Sequence, residues 1–252
     1  MRKLYVAVLF TILLASLSQP YNAKPEWLKK GFYAEYDLDG SMYVSGYGTV
    51  GLDGYYKWEV KSISGDIATI HTTIYMTSEV GQSDKEEGES EVDVNTRIIQ
   101  GTDEKFDGWI ETDVNIGDIV ATPEVEEGIT INLTVVDLDC EVTVKYEKLG
   151  KRTAIKANGT TTYYSVDFGG TVTATVNEYF DKEYGLLLMI EFYLYFPGGN
   201  AYIEFVLSDT NLFAEETTTT TTGLSEILPY LAVGVGVVVV IVIVMLMLRR
   251  KG

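Results

Sequence analysis

The chain predicts an all-β domain, an antiparallel sandwich or partly open barrel, followed by a Thr-rich stalk and one C-terminal transmembrane helix. Three observations carry this expectation. Apolar and polar residues alternate with period two through most of the chain, as half-buried strands require, and helical periodicity is nearly absent. Glycine-containing turn sequences punctuate the strands at short intervals. Both ends are apolar, and the C-terminal run is long enough to cross a bilayer.

The elements follow in chain order. Arg2-Lys3 and the apolar stretch Leu4 to Leu14 have the charge and length of a secretory signal, with Ser16 and Ser18 as the small residues before cleavage, so residues 1–18 are expected to be a signal peptide. Residues 19–213 are then the extracytoplasmic β domain. Within it, Tyr55–Ile63 and Ile67–Met76 read as strands joined by Ser64-Gly65-Asp66. Ser83 to Asp93 (SDKEEGESEVD) is so charged that it reads as a loop. Gly128 to Val135 places Ile129, Ile131, Leu133 and Val135 on one face. From Val136 the phase reverses, with Val136, Leu138, Cys140, Val142, Val144 and Tyr146 inward, so a bulge or bend is expected between Val135 and Val136. Asn158-Gly159 is a hairpin-turn signal. In Thr171 to Val176, Val172, Ala174 and Val176 oppose three threonines. Turns are expected at Asp181 to Gly185 and at Pro197-Gly198-Gly199-Asn200. Between these two, Leu186 to Phe196 is apolar on both faces except for Glu191, which predicts a central strand and a surplus apolar face.

Residues 214–226 contain a tract of six threonines, Thr217 to Thr222, with no apolar partners to pack, and read as a linker. Ile227 to Leu248 is an uninterrupted apolar run; as a helix it reaches roughly 33 Å, enough for a hydrocarbon core of about 30 Å. Arg249-Arg250-Lys251 follows, so the tail 249–252 is expected in the cytoplasm and the β domain outside.

All 37 acidic residues lie between the two apolar ends, against 14 of the 19 basic ones, giving that part a formal charge of about −23. A surface of that sign repels phosphate backbones, so no nucleic-acid partner is expected. The single cysteine, Cys140, excludes an intrachain disulfide and cysteine-ligated zinc, and its inward phase marks it as a small buried hydrophobe.

The candidate chemistry is sparse. Asn132-Leu133-Thr134 and Asn158-Gly159-Thr160 are glycosylation sequons, Asn132 on the polar face of its strand and Asn158 at the expected hairpin tip. His71, the only histidine, has no companion with which to form a general-base or metal constellation. Asp37 and Asp39 before Gly40 have the start of a calcium loop but lack its third acid and its distal glutamate. Asp53 before Gly54 is turn chemistry. Asp137 and Asp139 share a strand face and are the carboxylate pair that a hydrolase would use. No serine elbow, phosphate-binding loop or dinucleotide fingerprint occurs, so no enzymatic activity, cofactor or metal is expected.

The order of signal, β domain, Thr tract, apolar span and basic tail resembles exported, C-terminally membrane-anchored surface proteins, especially archaeal ones. Leu228-Pro229-Tyr230-Leu231-Ala232 is similar in placement to a sortase signal but departs from it at Leu231 and Ala232, and the archaeal Pro-Gly-Phe sorting motif is absent. The stretches Trp27 to Tyr33, Trp58-Glu59-Val60 and Ser64 to Ala68 are similar to archaeal exported proteins of unknown function. Tyr179 to Leu188 resembles a turn of lipoprotein-carrier half-barrels, whose concave sheet holds acyl chains. Three roles follow as expectations: a structural or binding role in the cell envelope, with other envelope proteins as partners; a half-barrel for a lipid or other hydrophobic ligand along Leu186 to Phe196; and an envelope hydrolase using a carboxylate pair.

Overall fold

The computed structural model describes residues 24–212 apart from Val80, Gln82, Asp103, Glu127 and Asp167. The expected signal peptide, the stalk, the transmembrane helix and the basic tail lie outside the described residues, as do residues 19–23 and 213. Twelve strands are present: β1 (Tyr33–Val44), β2 (Gly48–Ser64), β3 (Ile67–Ser78), β4 (Ser83–Asp93), β5 (Ile119–Ala121), β6 (Glu124–Glu126), β7 (Ile129–Thr130), β8 (Leu133–Thr143), β9 (Lys151–Ser165), β10 (Gly170–Asp181), β11 (Leu187–Phe196) and β12 (Gly199–Thr210).

Ten of them form one antiparallel sheet in the order β4-β3-β2-β1-β12-β11-β10-β9-β8-β5, and β6 and β7 form a separate hairpin. The fold is therefore all-β, as expected, and its main sheet is not closed, since β4 and β5 end it on opposite sides. Two meanders meet where the first strand pairs with the last, Gly40 opposite Ile203 and Met42 opposite Ala201.

Alternation sets the faces. In β1, Ala34, Tyr36, Leu38 and Met42 are buried while Glu35, Asp37, Asp39 and Ser41 point out. Val172, Ala174 and Val176 of β10 are buried opposite Thr171, Thr173 and Thr175, as the sequence predicts. The expected turns at Gly65, at Asp181 to Gly185 and at Pro197-Gly198 are present, with all three glycines at positive φ.

Four local expectations are corrected. Asn158-Gly159 is not a turn: both residues lie in mid-β9, with Asn158 opposite Asn177 and Gly159 opposite Val176. Glycine is needed at 159 because a β-carbon there would run into the carbonyl oxygen of Asn132 and the side chain of Ile131. Asp53-Gly54 likewise sits inside β2, where the Tyr75 carbonyl of β3 leaves no room for a side chain at 54. Ser83 to Asp93 is not a loop but edge strand β4, whose charges keep an open sheet edge from pairing with another chain. Gly128 to Val135 is split, because β7 pairs with β6 while β8 joins the main sheet.

The phase reversal is real. Register shifts fall between Val135 and Asp137 and again between Asp137 and Cys140. Val135 is buried, whereas Val136 is 42 % exposed, and the inward phase resumes at Leu138 and Cys140. The extra residues bulge out, so Val136 belongs to neither face.

Between β4 and β8 the chain leaves the sheet. Its bridges join Val92 to Ile99, Ile98 to Lys105 and Trp109 to Leu186, and it returns through β5. This excursion, residues 94–121, supplies the buried side chains Phe106, Trp109, Ile110 and Val120 to the core.

Candidate functional site

The outward face of the sheet carries one unusual row. Asp53 lies opposite Asp39, Asp39 opposite Glu204, and Glu204 opposite Glu191, so four adjacent strands present four carboxylates side by side. The row continues through Asn177 to Asn158. Like charges directly across a ladder are destabilising, and a sheet chosen only for stability would alternate their sign. Among the described residues no ion pair reaches any of the four; the cations nearby are committed elsewhere, Lys57 to Glu35 at 3.0 Å and Lys145 to Asp37 at 3.4 Å.

Tyrosines buttress the row. Tyr202 Oη donates to Glu204 at 2.7 Å, Tyr179 Oη to Glu191 at 2.8 Å and Tyr193 Oη to Glu191 at 3.2 Å, and Asn177 donates to the same carboxylate. Partial burial, then the adjacent carboxylates, push all three phenols up, so they stay protonated and remain donors. Tyr193 and Tyr202 pair with ring centroids 4.9 Å apart, and Tyr55 and Tyr75 stack at 5.7 Å. Tyr195 and Tyr164 extend the aromatic surface into solvent, 56 % and 68 % exposed. Fixed carboxylates beside exposed aromatic faces can hold a cation by charge and by ring quadrupole together.

Behind this face lies a second cluster. Trp27, Phe32, Trp58, Phe106 and Trp109 form one aromatic layer with neighbouring centroids 4.4 to 6.5 Å apart. Within it Arg97, only 1 % exposed, donates to the carbonyls of Trp109 at 2.8 Å, Phe106 at 3.3 Å and Val120 at 2.7 Å. Arg97 is also the only non-glycine residue among those described with positive φ, at 63°. Glu178 of β10 is 1 % exposed, and Asp107 of the excursion is half-buried. Burial pushes Glu178 well up, and the neighbouring Asp107 adds to this; burial also pushes Asp107 up to about 6 against the pull of Arg97.

The residues singled out from the sequence are scattered. His71 sits in mid-β3, with Glu89 at 3.9 Å and Thr73 as neighbours. Cys140 points inward and donates to the Ala154 carbonyl at 3.2 Å, and burial raises its thiol. Asp137 and Asp139 lie exposed in the β8 bulge, where Asp137 accepts from the Asp139 amide and Asp139 pairs with Lys182. Asn132 is exposed and Asn158 half-buried, so the two sequons sit in different settings. No group of three or more metal-ligating side chains occurs among the described residues. The apolar surplus of Leu186 to Phe196 is taken up by the protein only at its start: Leu186, Leu187 and Leu188 are fully buried, the first bridged to Trp109, whereas Tyr195 on the outward face is 56 % exposed.

No protein-family model matches the chain, and neither does any curated protein. Solved structures similar to it include a provisionally named lipoprotein from Parabacteroides distasonis and a provisionally named exported protein with a YmcC-like fold from Bacteroides fragilis. Each is 10 % identical with a TM-score of 0.41; they cover 74 % and 75 % of this chain and 99 % of their own.

Proposed function

We propose that this chain is a single-pass protein of the cell envelope whose β domain, held outside by residues 227–248, binds cationic groups of a neighbouring envelope component. The row Asp53, Asp39, Glu204 and Glu191, flanked by paired tyrosines, carries the reading. Four like charges in register cost stability, and Tyr179, Tyr193 and Tyr202 fix two of them in place instead of dispersing them. Surfaces that give up stability in this way are the ones used for recognition. A lysine-rich protein segment fits, since ammonium groups can sit over tyrosine rings while pairing with carboxylates.

The test is binding of the full chain, in detergent micelles, to an immobilised lysine-rich peptide. Wild type is compared with Asp39→Asn/Asp53→Asn/Glu191→Gln/Glu204→Gln and with an equal loss of charge on the β4 edge, Glu86→Gln/Glu87→Gln/Glu89→Gln/Glu91→Gln. The face variant should bind at least about tenfold more weakly and the edge variant within about threefold of wild type. Equal weakening by both would reduce the effect to net charge and remove the proposal.

A further inference from the structure

We infer that the outward face of the sheet carries a second binding surface, a platform for a neutral polysaccharide, beside the carboxylate row and independent of it. Charge stops abruptly on this face. Two residues along from Asp39, Glu204 and Glu191, toward the β11–β12 turn, stand Ser41 opposite Tyr202 and Tyr202 opposite Tyr193. Two residues further stand Tyr43 opposite Asn200 and Asn200 opposite Tyr195. On β10 and β9 both rows end in threonines, Thr175 opposite Thr160 and Thr173 opposite Thr162. None of these positions on β1, β12, β11, β10 and β9 is charged, in a chain with 37 acidic and 19 basic residues. Tyrosine and threonine favour strands in general, but that preference does not end the acids of three neighbouring strands at one level.

The band is open to solvent and already ordered. Tyr43, Tyr195 and, nearer the turns, Tyr164 are exposed, and among the described residues no side-chain hydrogen bond or ring contact occupies them. Three free phenol rings on one face mark a contact surface. The Thr160 and Thr175 hydroxyls lie 2.9 Å apart and those of Thr162 and Thr173 3.1 Å apart. Each pair uses one hydroxyl hydrogen internally and leaves the other, with its lone pairs, for a ligand. Asn200, exposed between Tyr43 and Tyr195, offers an amide that both donates and accepts.

These groups select the ligand. All five strands are paired on both sides, so none presents a backbone edge to an added peptide strand. An acyl chain would leave the threonine hydroxyls and the Asn200 amide without partners. A charged polymer meets no opposite charge on the band. A hexose polymer satisfies both kinds of group, its C–H faces packing on the phenol rings and its hydroxyls pairing with Ser41, Asn200 and the threonines. Tyr43 and Tyr195 lie two strands apart, roughly 10 Å, and the band is roughly 19 Å across, room for a run of sugar rings crossing the strands. The chain leaves β12 at Thr210, roughly 34 Å along the strand from Asn200, so the band lies at the end of the sheet away from that exit.

The test is retention of the full chain, in detergent micelles, on immobilised mannan, on immobilised dextran and on cellulose. At least one of these neutral polymers should retain it, with less than about twofold change between about 50 mM and about 500 mM salt, whereas the carboxylate row's binding of a lysine-rich peptide is salt-sensitive. Tyr43→Ala/Tyr195→Ala should weaken retention at least about tenfold, and Glu86→Gln/Glu87→Gln/Glu89→Gln/Glu91→Gln on the β4 edge should leave it within about twofold. A readout on the wild type needs no variant to fold: with ¹³C-labelled tyrosine, a soluble oligosaccharide of the retaining polymer should move the ring signals of Tyr43, Tyr195 and Tyr164. No retention on any of the polymers, retention lost at high salt, or equal retention of the tyrosine variant would overturn the platform. So would ring signals that an uncharged Gly-Ser peptide moves and the oligosaccharide does not.

Discussion

Replacing Arg97 by leucine removes the one buried cation among the described residues and should be among the most damaging single changes in the domain. The side chain donates three charge-assisted hydrogen bonds to the carbonyls of Phe106, Trp109 and Val120, fixing two points of the excursion and the middle of β5 with one group. Leucine leaves those carbonyls unpaired and Glu178 and Asp107 without a balancing charge. Breaking a buried ionic network from one side costs about 3–5 kcal/mol. For a domain of this size each kcal/mol lowers Tm by roughly 2–4 °C, so a fall of roughly 6–20 °C is expected. Arg97→Lys should recover only a minor part, because an ammonium cannot span three carbonyls as a planar fork does. In a Glu178→Gln background the leucine substitution should cost less, since one of the uncompensated carboxyls is gone. Calorimetry of the four proteins at neutral pH supplies the cycle. A loss below about 1 kcal/mol for Arg97→Leu would refute this account of the interior.

Three further outcomes are expected. Wild type should be more stable near pH 4.5 than near pH 8. Moving Asp107 from 3.8 to about 6 corresponds to at most on the order of 3 kcal/mol lost as pH rises, and denaturant titrations at the two pH values measure it. Gly159→Ala should lower stability by about 1–3 kcal/mol, because the added methyl meets the Asn132 backbone between two fixed strands; a neutral effect on Tm would show that β8 can yield there. Peptide mass mapping of the native protein should find glycan on exposed Asn132 and none on Asn158, which lies within β9 between β8 and β10; the reverse pattern would contradict that reading.

Much of the strand architecture is legible in the sequence because alternation reports burial directly. The β10 face and the β8 bulge follow from it, and the 64–66 and 197–198 reversals follow from their glycine-containing turn sequences. What is misread has a physical cause. Asn158-Gly159 has the chemistry of a turn, but the glycine answers to a neighbouring backbone, which local sequence does not show. The β4 strand is disguised by the charges that protect a sheet edge. Neither candidate site is visible in advance. The carboxylate row joins residues from β1, β2, β11 and β12 that only the register makes neighbours. Arg97 carries no local mark of its burial; the nearest signal is the aromatic-glycine stretch Phe106 to Trp109 in an otherwise polar segment.

The most direct test of the account follows the tyrosine rings themselves. With ¹³C-labelled tyrosine in the full chain, titration with a lysine-rich peptide should move the ring signals of Tyr193 and Tyr202 first, and those of Tyr55 and Tyr75 with them, in a saturable and salt-sensitive manner. Shifts confined to Tyr47, or to other tyrosines away from the carboxylate row, would contradict it.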